Sequence, residues 1–161
     1  MKKILLICFS FIIWLGFTCT FNLQNIIAGG VASIVVGLLF GNLFMEKPSK
    51  IFQIKRWFWF LVYIPVFLWE MAKANFDVAY RVVHPKRPID PGIIKVKTKL
   101  KSEMGKVFLA NSITLTPGTF TVDLKDEYLY IHCIKVKFTD VDKATEDIVR
   151  RFEPLLSKIF D

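Results

Sequence analysis

Between Ile4 and Met45 the chain has no Asp, Glu, Lys, Arg or His. A run of that length and character is long enough to cross a bilayer twice, since each helical crossing of the hydrocarbon layer takes about 20 apolar residues. With 161 residues and 53% hydrophobic content, the chain is read as an integral membrane protein with a soluble tail. Lys2-Lys3 before an apolar segment would suit a signal peptide. No A-x-A-like site follows, however, and Gly16-Phe17-Thr18 before Cys19 is a poor lipobox, so the segment is expected to stay.

The net charge of +8 divides unevenly: +2 in residues 1–45, +8 in 46–101 and −2 in 102–161. Basic residues that flank membrane segments stay on the cytoplasmic side and are drawn to anionic lipid headgroups. The basic belt adjoins the apolar region and offers no separate basic helix or stacking platform, so lipid headgroups are expected as partners and nucleic acid is not. Cys8, Cys19 and Cys133 show neither C-x-x-C nor metal-ligand spacing and are read as reduced, buried thiols.

Within the apolar region, Ile4–Phe21 and Ile26–Met45 are separated by the uncharged turn Asn22-Leu23-Gln24-Asn25. The second segment carries Gly29, Ser33, Gly37 and Gly41, a small residue at every fourth position. At the helical period these form one stripe along which another backbone approaches closely. The stripe is a candidate packing face, either for the first segment or for another subunit. Neither segment holds a group able to carry cations or protons.

After the basic loop Lys47-Pro48-Ser49-Lys50 and Lys55-Arg56, a stretch from Trp57 to Trp69 is rich in aromatics and interrupted by Pro65. Beyond it Glu70, Lys73, Asp77 and Arg81 alternate in sign at i+3 and i+4 spacing, an ion-pair ladder expected at the membrane surface. A full crossing here would strand Arg81, Lys86 and Arg87 outside, against the charge rule, so an interfacial helix is preferred over a third span.

His84–Gly92, with three prolines and a glycine, is a linker. Ile94, Val96, Thr98 and Leu100 then alternate with four lysines, a half-buried strand whose outer face suits anionic lipid, an acidic partner or plain solvation. Ser102 caps a short helix. Asn111 to Thr116 is read as a helix end and an extended piece, Pro117-Gly118 as a type II turn, and Thr119–Leu124 with Tyr128–Phe138 as a hairpin. A final helix starts near Asp140 or Asp142, with Pro154 expected to bend or divide it.

The architecture expected is thus an α+β membrane protein. Residues 1–45 form a transmembrane helical hairpin, 46–83 a basic loop and aromatic interfacial (or third transmembrane) helix, 84–92 a linker, and 93–161 a cytoplasmic β-α-β-β-α domain. The sequence has no Gly-rich phosphate loop, H-E-x-x-H or G-x-S-x-G, and His132 stands without an acid or nucleophile placed beside it. No enzyme, cofactor or metal is expected.

The run Ala110-Asn111-Ser112-Ile113-Thr114-Leu115-Thr116-Pro117-Gly118-Thr119, followed by Val122-Asp123 and Leu129-Tyr130-Ile131-His132, resembles the E-type subunit of the multisubunit Na+/H+ antiporters, the Mrp or Mnh family. It also resembles the equivalent subunit of membrane-bound hydrogenases that share the antiporter module. The likeness covers nearly the whole chain. It implies a required, non-catalytic member of a multi-pass complex in the prokaryotic cell membrane, with the other antiporter or hydrogenase membrane subunits as partners carrying the ion and proton paths. For the motif itself the resemblance implies no catalysis, only a structural or docking part.

Overall fold

The computed structural model describes residues 2–42, 53–86 and 88–161. Met45, Glu46, the loop Lys47–Lys50 and Arg87 lie outside the described residues. The chain divides into two compact units, residues 1–52 and 53–161.

In the first unit, α1 (Lys2–Thr18) and α2 (Leu23–Phe40) form a hairpin. The polar turn between them is satisfied from within. Asn22 caps α2 by accepting from the Asn25 backbone N–H at 2.8 Å, and Trp14 Nε1 donates to Asn25 Oδ1 at 3.1 Å. Asn25 Nδ2 in turn donates to Thr18 Oγ1 at 2.8 Å. These bonds satisfy the polar groups of the turn from within the hairpin.

The sequence left open what the small-residue stripe receives; in the structure α1 occupies it. Gly29, Ser33 and Gly37 are buried. A Cβ added at Gly29 would lie 2.7 Å from Trp14 Nε1, and one at Gly37 would lie 2.9 Å from Ile7 Cδ1. Gly41 caps the helix with its N–H on the Gly37 carbonyl at 3.1 Å. Cys8 and Cys19 are exposed on this unit, not buried as expected, whereas Cys133 is buried. Among the described residues, Leu23–Phe40 is long and apolar enough to cross a membrane. With 17 residues, α1 stands at the lower end of the roughly 17–25 that a crossing takes.

The second unit contains α3 (Ile54–Val83), β1 (Gly92–Lys97), α4 (Glu103–Leu115), β2 (Thr119–Lys125), β3 (Tyr128–Cys133), α5 (Val141–Ile148) and α6 (Glu153–Phe160). The strands form one antiparallel sheet in the order β1-β3-β2, with a bulge between Thr121 and Asp123. One face of the sheet (Ile94, Val96, Leu129, Ile131, Cys133) meets Leu109, Ile113, Val149, Phe152, Leu156 and Ile159 from the helices.

The helix α3, expected as an element apart from the tail, belongs to the same unit. Tyr63 lies in its core, and Trp59, Phe60 and Phe67 pack against that core. A two-layer domain of about 70 residues buries too little surface to be secure alone, and α3 supplies the missing cover.

Three boundaries differ from the sequence expectation, each for a reason visible in the structure. The ladder of β1 stops at Lys97, yet Thr98 and Leu100 remain buried. Glu153 holds this extension, accepting from Thr98 Oγ1 at 2.5 Å and from the Lys99 N–H at 2.6 Å. Helix α4 does not end at Asn111 but runs on to Leu115. Its hydroxyls bond back one turn, Ser112 Oγ to the Phe108 carbonyl at 2.5 Å within the helix and Thr116 Oγ1 to the Ser112 carbonyl at 2.7 Å from the C-cap, so Ser112 does not end the helix and Thr116 does. Strand β3 ends at Cys133, and the chain beyond pairs with the linker through an isolated bridge between Asp90 and Lys135. Pro154 sits in the first turn of α6, where its missing N–H does no harm, and the final helical stretch is divided before it, one of the two outcomes expected.

Candidate functional site

The residues that the sequence singles out in the second unit converge where α3 meets the α+β layers. From the motif, Ser112 on α4 shares a buried hydrogen bond with the hydroxyl of Tyr63 on α3. Pro117-Gly118 turns the chain, with the Thr119 N–H on the Thr116 carbonyl at 3.3 Å and Gly118 at φ +91°, the positive value a type II turn demands. Gly118 also lies close to α3. A Cβ there would be 3.1 Å from Ile134 Cδ1 and 3.3 Å from Val78 Cγ2. Thr119 Oγ1 donates to the Ile113 carbonyl at 2.7 Å, Thr121 Oγ1 donates to the Ala110 carbonyl at 3.0 Å, and Thr114 Oγ1 accepts from the Thr121 N–H at 3.1 Å. Asn111 is exposed. The hydroxyls of the run thus bind their own chain, and the turn they support abuts the long helix.

At the opposite end of α3, Arg56 donates to the Ile159 carbonyl, and Lys158 Nζ stands 3.8 Å above the Trp59 ring. Stacked, edge and tilted ring contacts of Tyr63 and Phe67 with each other and with Phe152 fill the middle.

The charged ladder of α3 is present, with Lys73 on Glu70 and Arg81 on Asp77 at 2.7 Å. It does not lie wholly on an open surface. The Glu70 side chain is 12% exposed and that of Arg81 is 10% exposed, whereas Lys73 and Asp77 stay half exposed. Glu70 also meets Arg151 at 3.5 Å, Arg151 meets Asp147 at 3.0 Å, and Asp147 meets Lys137 at 3.5 Å. A chain of ion pairs therefore runs from α3 across to the turn after α5 and the strand extension. Arg81 also donates to the Pro88 carbonyl at 2.9 Å, fixing the linker to the end of α3.

These groups line a cleft of about 460 Å³. Its walls carry Lys73, Arg81, Lys135, Lys137 and Arg151 against Glu70, Asp77 and Asp147, with Thr116–Thr119 along one side. At its floor, burial and then the Asp147 charge hold the Cys133 thiol above its usual value, which keeps it protonated and a poor nucleophile.

Sequence reasoning placed Glu70 in the ladder of α3 but had no signal for its bond to Arg151, 81 positions later. Tyr63 as a core residue was equally hidden among neighbouring aromatics. Among the described residues no group of three or more His, Cys, Asp or Glu is placed to hold a metal ion. The arrangement joins an aromatic helix to a small α+β domain at both ends and in the middle.

A family model described as Na+/H+ ion antiporter subunit, MNHE, matches residues 7–159. The chain belongs to this family. It is 33% identical over 150 residues to the E subunit of the Na(+)/H(+) antiporter of Alkalihalophilus pseudofirmus, covering 92% of this chain and 91% of that one. Against the corresponding E subunit of Bacillus subtilis it is 32% identical over 147 residues, covering 88% and 90%. It is also similar to a chain in the structure of the membrane-bound sulfane sulfur reductase (MBS), an archaeal respiratory membrane complex, with 44% identity, a TM-score of 0.82 and 99% of both chains covered. Membership in the MNHE family sets the chain among subunits of membrane complexes for sodium and proton antiport and of related membrane-bound complexes.

Proposed function

We propose that this MNHE-family chain is a non-catalytic subunit that supports assembly of its membrane complex and does not itself carry the ion path. One observation carries this reading: the hairpin has no Asp, Glu, Lys, Arg or His from Ile4 onward, and its small residues are occupied by the partner helix. An ion path through lipid needs ionisable or coordinating groups facing a polar cavity. If the chain is left out, the remaining antiporter subunits are expected to assemble poorly and to lose Na+-dependent proton exchange in everted vesicles. Full assembly and exchange in its absence would refute the role.

With Lys2 and Lys3 at one end of the hairpin and the basic belt after the other, two crossings place the tail in the cytoplasm of a prokaryotic cell. Helix α3 then lies in the inner interface. Its outer side exposes Trp57, Phe58, Leu61, Leu68 and Trp69 to lipid, while Tyr63 and Phe67 pack inward on a water-soluble layer. A helix spanning lipid would not have that layer along one face. With Cys8 and Cys19 replaced by serine, so that neither exposed thiol reacts, the variant Lys99→Cys is expected to be labelled by membrane-impermeant maleimide only from the cytoplasmic side; labelling from outside would mean a third crossing.

A second reading has support of its own, since identity to the chain of the archaeal respiratory complex is 44% against 33% for the antiporter protein of Alkalihalophilus pseudofirmus. The host on that reading is a respiratory membrane complex with the same type of subunit. The proteins recovered with a tagged chain distinguish the two, as redox subunits accompany it in one case and not in the other.

A further inference from the structure

One face of the three-stranded sheet is covered by helices and the other is open. On the open face the register sets Ile93, His132 and Phe120 in one cross-strand row and Lys97, Tyr128 and Lys125 in another, with Lys95, Tyr130 and Asp123 between them. Ile93 is 62% exposed, Phe120 55% and the bulge residue Val122 50%. Lys95 Nζ lies 3.8 Å from the centroid of the Tyr128 ring, and Lys97 Nζ lies 5.7 Å from the same ring and 3.0 Å from Glu127. The face is therefore apolar at one end and cationic at the other. Lysines on an edge strand deter aggregation. That accounts for Lys95 and Lys97 but not for three large apolar side chains gathered beside them on an otherwise unpartnered surface.

We propose that this open face docks an acidic, amphipathic segment of another subunit in the host complex. Carboxylates of that segment meet Lys95, Lys97 and Lys125, and its apolar side chains cover Ile93, Phe120 and Val122. The inference rests on the reading of the chain as a complex subunit. Charge complementarity favours an acidic occupant: Asp123, Asp126, Glu127 and Asp142 lie near the face, yet Glu127 pairs with Lys97, and among the described residues Lys95 and Lys125 form no ion pair. The placement of α3 disfavours lipid, because that helix packs on the helix-bearing side of the sheet, against Ser112 and Phe152, and not on the open face. Nucleic acid is disfavoured because Lys95 covers the Tyr128 ring on which a base would stack.

The test uses the complex isolated through a tag on this chain, with photoreactive benzoylphenylalanine in place of Val122. Light is expected to join the chain to a second subunit of the same complex, at a peptide rich in Asp or Glu. The yield should fall about tenfold in the double variant Lys95→Glu/Lys125→Glu, and less in Lys95→Gln/Lys125→Gln, as expected for charge contacts across an interface. Unchanged melting by circular dichroism guards against misfolding. Should the charge-reversed protein melt early, raising salt on the unmutated pair of lysines provides the same comparison, with yield falling as screening shortens the reach of the charges. If other subunits co-purify but the adduct is to lipid or nucleic acid, is absent, or ignores both charge reversal and salt, the docking inference fails and the subunit reading stands. If no subunit co-purifies, both fail.

Discussion

Replacing Phe152 by alanine is expected to destabilise the second unit by about 3–5 kcal/mol, the range for deleting a buried aromatic from a packed core. Phe152 is 2% exposed and is among the largest fully buried side chains. It differs from the other core residues in what it joins: its ring lies 6.5 Å from that of Tyr63 and 6.2 Å from that of Phe67, both on α3. Truncation therefore opens a cavity at the meeting of helix and domain. Chemical denaturation of the full chain in detergent measures the loss. Hydrogen exchange should show faster exchange first in α3 and the turn before α6. Phe120→Ala, which removes a side chain from the open sheet face, should alter stability by only about 0.5 kcal/mol, in line with exposed substitutions. Equal effects from the two would mean that Phe152 does not hold α3 in place.

That contrast shows where the sequence is informative and where it falls silent. Alternation from Ile94 to Leu100 correctly assigned inward and outward residues, because the side-chain period of two is local. It could not show that pairing stops at Lys97, since what replaces the ladder is Glu153, more than 50 positions away. The Pro117-Gly118 turn was legible because its chemistry is contained in four residues. The extent of α4 was not: Asn111 and Ser112 read as the helix end, and only the i−4 bond of Ser112 and its Tyr63 partner reveal a helix that runs on to Leu115, with Thr116 as its C-cap.

The candidate site divides in the same way. Spacing alone gave the pairs Glu70–Lys73 and Asp77–Arg81. The bond from Glu70 to Arg151, which turns a surface ladder into one wall of a cleft, depends on the tertiary fold. The family motif was visible as a run of residues. Its contact with α3 through Gly118 and Ser112 became visible only once the helix and the domain were seen in one unit.

Gly37→Leu is expected to force the two helices of the hairpin apart. A Cβ at this position would already stand 2.9 Å from Ile7 Cδ1 and 3.2 Å from the Lys3 carbonyl oxygen. The side chain of Ile7 can yield; the backbone of α1 can do so only by moving as a whole. Overpacking of this kind costs about 1–3 kcal/mol in a well-packed interior. In lipid no hydrophobic force between helices offsets it, because association there rests on close contact. Gly30→Leu is the matched control: nothing lies within 4 Å of a Cβ there, so the same side chain should be accommodated. Spin labels at the exposed positions Ile4 and Leu39 report the separation, which should lengthen and broaden for Gly37→Leu and stay put for Gly30→Leu. Hydrogen exchange in β1, β2 and β3 should be the same in both variants. Because α1 fills the stripe, a neighbouring subunit would meet the other side of α2, where Val31, Val35, Leu38 and Leu39 are exposed. Loss of complex assembly in Gly37→Leu with an unaltered label distance would place the stripe against another subunit instead, and would overturn the packing of α1 on α2.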